Sequence, residues 1–131
     1  MLFRSHYGRR IAAALSGFDL GQSAAICERA CVALEAMEGT DETIARAGHL
    51  AGPGVAIIKV AKPKQDMRFD VPIVGLATIQ AMRVAGATAL SLDAGKTLIF
   101  DRDAFFASAN EAGIAIVGRA RRPAAAGETA S

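Results

Sequence analysis

Two aspartates four residues apart, Asp66 and Asp70, lie among Lys62, Lys64, Gln65 and Arg68 in a segment stiffened at its ends by Pro63 and Pro72. Carboxylates mixed with cations at this density suit phosphate chemistry. Cations or a magnesium ion neutralise phosphoryl oxygens, and a carboxylate orients water or holds the metal. Upstream, Glu35 and Glu38 close an apolar run and Asp41 stands at a helix start. Helix capping and dipole pairing explain Glu38 and Asp41 equally well. Lys64 and Asp101 read as surface and capping residues, and a solvated surface loop is the plain alternative for the whole charged segment. Lys59 is different. It interrupts the apolar run from Val55 to Val60, and a lysine inside a strand buried on both faces needs a partner or a functional task.

The elements that must position these groups follow from hydrophobic periodicity. Val55 to Val60 reads as a strand buried on both faces. Such a strand emptying into a rigid charged loop is where α/β proteins place ligand chemistry. Before it, a short helix from Tyr7 to Leu15, its beginning missing, turns Ile11, Ala12, Leu15 and Phe18 to one side. Ser23 to Cys27 and Ala30 to Glu35 form a hairpin around Glu28-Arg29. Thr40 or Asp41 caps a helix running to about Leu50, with Ile44, Ala47, Gly48 and Ala51 inward and Gly52-Pro53-Gly54 as its stop. After the charged loop come a helix from Leu76 to Ala85, ended by Gly86, and a strand from Ala87 to Leu92. A tight turn over Asp93 to Lys96 leads to a hairpin partner, Thr97 to Phe100. Asp101 caps a helix from Arg102 to Ala112, with Phe105, Ser108, Ala109 and Ala112 inward, before a last buried strand, Ile114 to Val117. This alternation predicts one α/β domain over residues 7–118, a mixed β-sheet with helices packed against it. Residues 1–6 match nothing that follows, and residues 119–131, without period or large apolar groups, read as a disordered tail.

Composition removes several classes of function. A chain of 131 residues with 52% apolar content supports one domain with a real core. A formal charge of +2 is too small to argue for nucleic acid or a strongly basic membrane patch. No apolar run approaches a membrane span, and Arg9 and Arg10 interrupt any secretory pattern, so the cytoplasm is the expected compartment. Cys27 and Cys31 read as free, half-buried thiols, since His6 and His49 sit at no zinc-site spacing from them. Gly95-Lys96-Thr97 imitates the end of a P-loop, but Leu90 stands where glycine is required. Gly52-Pro53-Gly54 precedes a strand instead of following one, so it is no dinucleotide fingerprint. The residues alone therefore specify an anion-handling α/β domain.

Longer strings say more. Glu38-Gly39-Thr40-Asp41 before a helix, the run from Lys59 to Pro72 with Gly75, Ala85-Gly86-Ala87, the turn from Asp93 to Thr97, Asp101-Arg102-Asp103 and the closing run from Ala112 to Gly118 resemble the C-terminal domain of the LpxI family. That family comprises UDP-2,3-diacylglucosamine pyrophosphatases of lipid A biosynthesis. The resemblance spans Arg9 to Gly118. It implies magnesium-dependent hydrolysis of UDP-2,3-diacylglucosamine to 2,3-diacylglucosamine 1-phosphate (lipid X) and UMP, with substrate held between two domains. Carried over by motif, Asp66 and Asp70 are the candidates for the essential carboxylate and for metal ligation, with no choice between them. Glu38, Thr40, Asp41, Lys59, Lys62, Gln65 and Arg68 would bind substrate in the same cleft. Family members carry an N-terminal domain, so the chain reads as a fragment whose missing half is an expected partner. A lipid-linked substrate is compatible with peripheral association at the inner membrane. The alternative from another class is a non-catalytic module that binds an anionic ligand. Two structural expectations follow: the strand at residues 55–61 lies inside the sheet between amphipathic helices, and Lys59 or Lys62 reaches Glu38, Asp66 or Asp70.

Overall fold

Along the chain the computed structural model, which describes residues 2–62 and 72–119 (2–5 as backbone only), runs α1 (Leu2–Gly17), β1 (Ser23–Cys27), β2 (Ala30–Leu34), α2 (Thr40–Ala51), β3 (Ala56–Lys59), β4 (Ile73–Val74), α3 (Leu76–Ala85), β5 (Ala89–Asp93), β6 (Leu98–Ile99), α4 (Arg102–Ala112) and β7 (Ala115–Arg119). Every residue of β3 is buried, and the strand sits third in a five-stranded sheet ordered β2-β1-β3-β5-β7. It pairs antiparallel with β1 and parallel with β5, which makes the sheet mixed. The interior position expected from its apolar run is the one observed. The hairpin β1–β2 also forms as expected, with Cys27 opposite Ala30 and Glu28 taking a positive φ of 54° in the two-residue turn. Cys27 and Cys31 are free, half-buried thiols.

Strand alternation divides the core between the two faces of the sheet. Ala24, Ile26, Ala56, Ile58 and Ala89 pack under α1 with Ala12. Ala25, Ile57 and Leu90 face α2, α3 and α4 through Ile44, Ile79, Met82 and Phe105. Each such large side chain, fully buried, contributes about 1.5–3 kcal/mol. The helices α2 and α3 thus lie on the same face and pack against each other. The molecule is a single α/β domain whose sheet is flanked by four helices. Among the described residues no helix is long and apolar enough to cross a membrane.

Five expectations change. The segment ending at Phe100 does not pair with β5, because β3 and β7 already occupy both edges of that strand. Instead β6 runs parallel to β4 in a separate two-stranded sheet, with Ile73 opposite Leu98. Phe18 is 78% exposed, since α1 ends at Gly17 and the helical face stops with it. The helix itself begins at Leu2, ahead of Tyr7. The strand at the C-terminal end, β7, is an edge strand and only half-buried. Of the expected tail, residues 119–131, Arg119 instead ends β7, and residues 120–131 lie outside the described residues.

The crossing of α2 and α3 depends on Gly48. A Cβ there would stand 2.7 Å from the Cβ and 2.8 Å from the Cα of Ala85, so the helices meet at backbone distance. Gly48→Ala should destabilise the domain by up to about 2 kcal/mol, because overpacking of about 1–3 kcal/mol opposes a gain of about 1 kcal/mol in helix propensity. Urea denaturation measures this directly, and a gain in stability would contradict the close crossing.

Candidate functional site

Parallel strands β3 and β5 end at one edge of the sheet, and antiparallel β1 begins there, with Ser23 opposite Lys59. From β2 the chain turns into α2, and from β4 it turns at Gly75 into α3, so both helices start at this edge. Between them lies an open pocket of about 400 Å³ lined by Gly39, Thr40, Asp41, Lys59, Gly75 and Thr78, with Glu38, Glu42, Ile73 and Ala77 completing the wall. Gly39 holds the cap position of α2 at φ 90°, and Gly75 holds that of α3. Neither helix receives a side-chain cap. The first-turn amides of a helix have no intrahelical acceptor and carry the positive end of its dipole, so two such ends at one pocket favour an anion.

Lys59 places a cation in the same pocket. The alternation of β3 turns it to the α2–α3 face, it is 9% exposed, and its Nζ donates to the Ile73 carbonyl at 3.2 Å. Burial pushes its pKa below the ordinary lysine value, while Glu35 and Asp41 pull it back up. Among the described residues Glu35 and Asp41 are thus the carboxylates that act on it; of the three expected near Lys59 or Lys62, Asp66 and Asp70 lie outside the described residues.

Glu38 is engaged elsewhere. It accepts from Arg46 at 2.6 Å and from the Ala36 amide at 3.1 Å. Its own amide, Arg46, the Ala36 amide and Thr43 hold its pKa down to about 2. Thr40 was an expected cap, but its hydroxyl donates to Glu35 Oε2 at 3.0 Å and lies 3.1 Å from Ser23 Oγ. With its one proton on Glu35, Thr40 can accept from a ligand but not donate to a phosphate oxygen. Glu35, 9% exposed, also accepts from the Gln22 amide at 2.8 Å. Asp41 takes a long 3.4 Å hydrogen bond from Thr78, which joins the two helix starts. Lys62 pairs with Asp19 at 2.8 Å.

The structure thus brings Glu38, Thr40, Asp41 and Lys59 to one pocket and sets Lys62 in an ion pair with Asp19. Gln65, Asp66, Arg68 and Asp70 lie outside the described residues. Sequence reasoning missed the supporting roles of Ser23 and Thr78, whose types carry no distinctive spacing, and marked Gly75 only as part of the family string. Among the described residues no three metal-ligating side chains converge, and Glu35 and Glu38 are already engaged. This set does not by itself fit a magnesium ion.

Comparison with known proteins adds an independent observation. The family described as the LpxI C-terminal domain matches residues 4–117. A UDP-2,3-diacylglucosamine pyrophosphatase LpxI from Caulobacter vibrioides is 36% identical over 116 residues, covering 82% of this chain and 41% of the relative. The chain thus spans about two-fifths of the length of that relative.

The position of Lys59 generates a test that separates function from stability. An unfolded chain holds more protons than the folded one between the depressed pKa and the ordinary value, so stability should rise with pH across that window. Anion binding needs the ammonium and should fall across the same window. Lys59→Met should leave stability at neutral pH within about 1 kcal/mol of the parent, because a buried charge contributes little to stability. The same change should weaken inorganic pyrophosphate binding at least about tenfold, or ~1.4 kcal/mol. Denaturation and calorimetry at neutral and alkaline pH measure both. A stability loss of roughly 3 kcal/mol would make Lys59 a structural residue instead.

Proposed function

The chain belongs to the LpxI family, and from that premise we propose that it is the catalytic half of a UDP-2,3-diacylglucosamine pyrophosphatase. In this reading water attacks one phosphorus of the substrate's diphosphate and the bridging P–O bond breaks, giving UMP and 2,3-diacylglucosamine 1-phosphate. The observation that carries the reading is the buried ammonium of Lys59 in one pocket with the starts of α2 and α3. A diphosphate brings charge that these groups complement before and during the reaction. Asp66 or Asp70 would orient the water, and Lys62, Gln65 and Arg68 would complete the substrate contacts. The family resemblance implies magnesium, for which the described pocket residues do not by themselves supply a ligand set. An N-terminal domain would close the site from the other side, and the reaction would take place in the cytoplasm at the inner membrane, where a lipid-linked substrate resides.

The second reading, an anion-binding module without turnover, is favoured by one observation: Glu35 and Glu38 are spent on internal contacts. Phosphorus NMR of UDP-2,3-diacylglucosamine, with an N-terminal half supplied in trans, decides between the two. Release of UMP supports the first reading, and binding without release supports the second. In the two-domain protein, Asp66→Ala or Asp70→Ala should reduce turnover well beyond tenfold while substrate binding persists, because a water-orienting carboxylate acts mainly on the transition state. If both variants stay within about tenfold of the parent, a barrier change of only ~1.4 kcal/mol, neither aspartate is catalytic.

A further inference from the structure

Asp93, the last residue of β5, is 1% exposed and lies on the α1 face of the sheet, opposite the pocket. Its Oδ1 pairs with the Arg9 guanidinium, which also donates to Ser91 Oγ at 3.2 Å. Its Oδ2 accepts the Ala61 amide at 2.8 Å, just where the chain leaves β3. Its carbonyl accepts the Thr97 hydroxyl at 3.0 Å and the Lys96 amide at 3.3 Å, which fixes the turn leading to β6. Directly after that turn, the Leu98 amide donates to the Pro72 carbonyl at 2.9 Å and the Phe100 amide to the Val74 carbonyl at 2.9 Å. So β4, which carries Ile73 in the pocket wall and offers its carbonyl to Lys59, hangs on β6.

We propose that Asp93, held by Arg9, is a positioning residue for the reaction: its side chain fixes the chain after Lys59, and the turn it anchors fixes the pocket wall that Lys59 touches. This rests on the hydrolytic reading above. A buried ion pair contributes little net stability, whereas removing one partner strands the other charge. Its oriented hydrogen bonds instead hold two separate stretches of backbone in one register. Site groups need placement within a fraction of an ångström, and a shift of about 1 Å can lower turnover on the order of a hundredfold.

Asp93→Asn, Arg9→Met and Arg9→Lys test the assignment in two ways. In this chain, amide hydrogen exchange should speed at both Ala61 and Leu98 in Asp93→Asn while core amides such as those of Ile57 and Leu90 keep their protection. Unchanged exchange at Leu98 would overturn the link between the two stretches. With an N-terminal half supplied in trans, Asp93→Asn and Arg9→Met should lower kcat for UDP-2,3-diacylglucosamine at least about tenfold, with KM within about threefold. Arg9→Lys should recover part of the loss. A kcat within twofold of the parent would overturn the proposal. So would a loss that disappears when each variant is assayed at the same interval below its own Tm, since that marks a merely structural role. If the unsubstituted protein releases no UMP, the hydrolytic reading fails first, and exchange at Ala61 and Leu98 still decides whether Asp93 couples the two stretches.

Discussion

Burial of β3 on both faces is the constraint from which the site follows. A strand with neighbours on both edges and helices on both faces has room for a charge only where it ends. Lys59 stands at that end, on the face where α2 and α3 begin. Its ammonium is desolvated, which costs free energy, and that cost falls when an anion arrives to replace the lost water. The helix starts reinforce this preference, since their amides and dipoles point the same way. Sheet order, helix placement and pocket polarity are therefore one arrangement.

In and behind the pocket wall, polar groups divide into those spent on the fold and those left for a ligand. Ser23, Thr40 and Glu35 form a chain of hydrogen bonds that ties β1, α2 and the end of β2 together. Glu38 is held by its own amide and clasped to Arg46, so its depressed pKa reports bonds just ahead of α2 and not a poised acid. Asp41 bridges to α3 through Thr78. Glu35, Glu38 and Asp41 thus brace the pocket walls, and Lys59 gives the pocket its positive charge. Catalytic carboxylates, in the proposed hydrolytic reading, would come from Asp66 or Asp70.

Much of this fold was legible because hydrophobic period reports burial. The apolar run of β3, the hairpin and the helices α2, α3 and α4 each carry a clear pattern, and each is present. What the pattern could not show depends on tertiary neighbours. Two-residue strands such as β4 and β6 have no period, and β6 went to β4 only because β5 had no free edge. Gly39 displaced Thr40 from the cap because Glu35 and Ser23, distant in sequence from each other, compete for the threonine hydroxyl. Of the candidate site, Lys59 was marked by its type inside an apolar run, and Glu38, Thr40 and Asp41 by a string resembling a known family. The pairing of Arg9 with Asp93 had no local signal, since it joins residues from α1 and β5.

The central claim is that the anion seat lies between the starts of α2 and α3, around Lys59. Two-dimensional amide NMR of this chain during titration with inorganic pyrophosphate tests it most directly. Saturable shifts confined to residues 39–42, 75–78 and the neighbourhood of Lys59, lost in Lys59→Met, are the predicted result. Shifts centred on α4 and β7, or identical shifts in Lys59→Met, would contradict it.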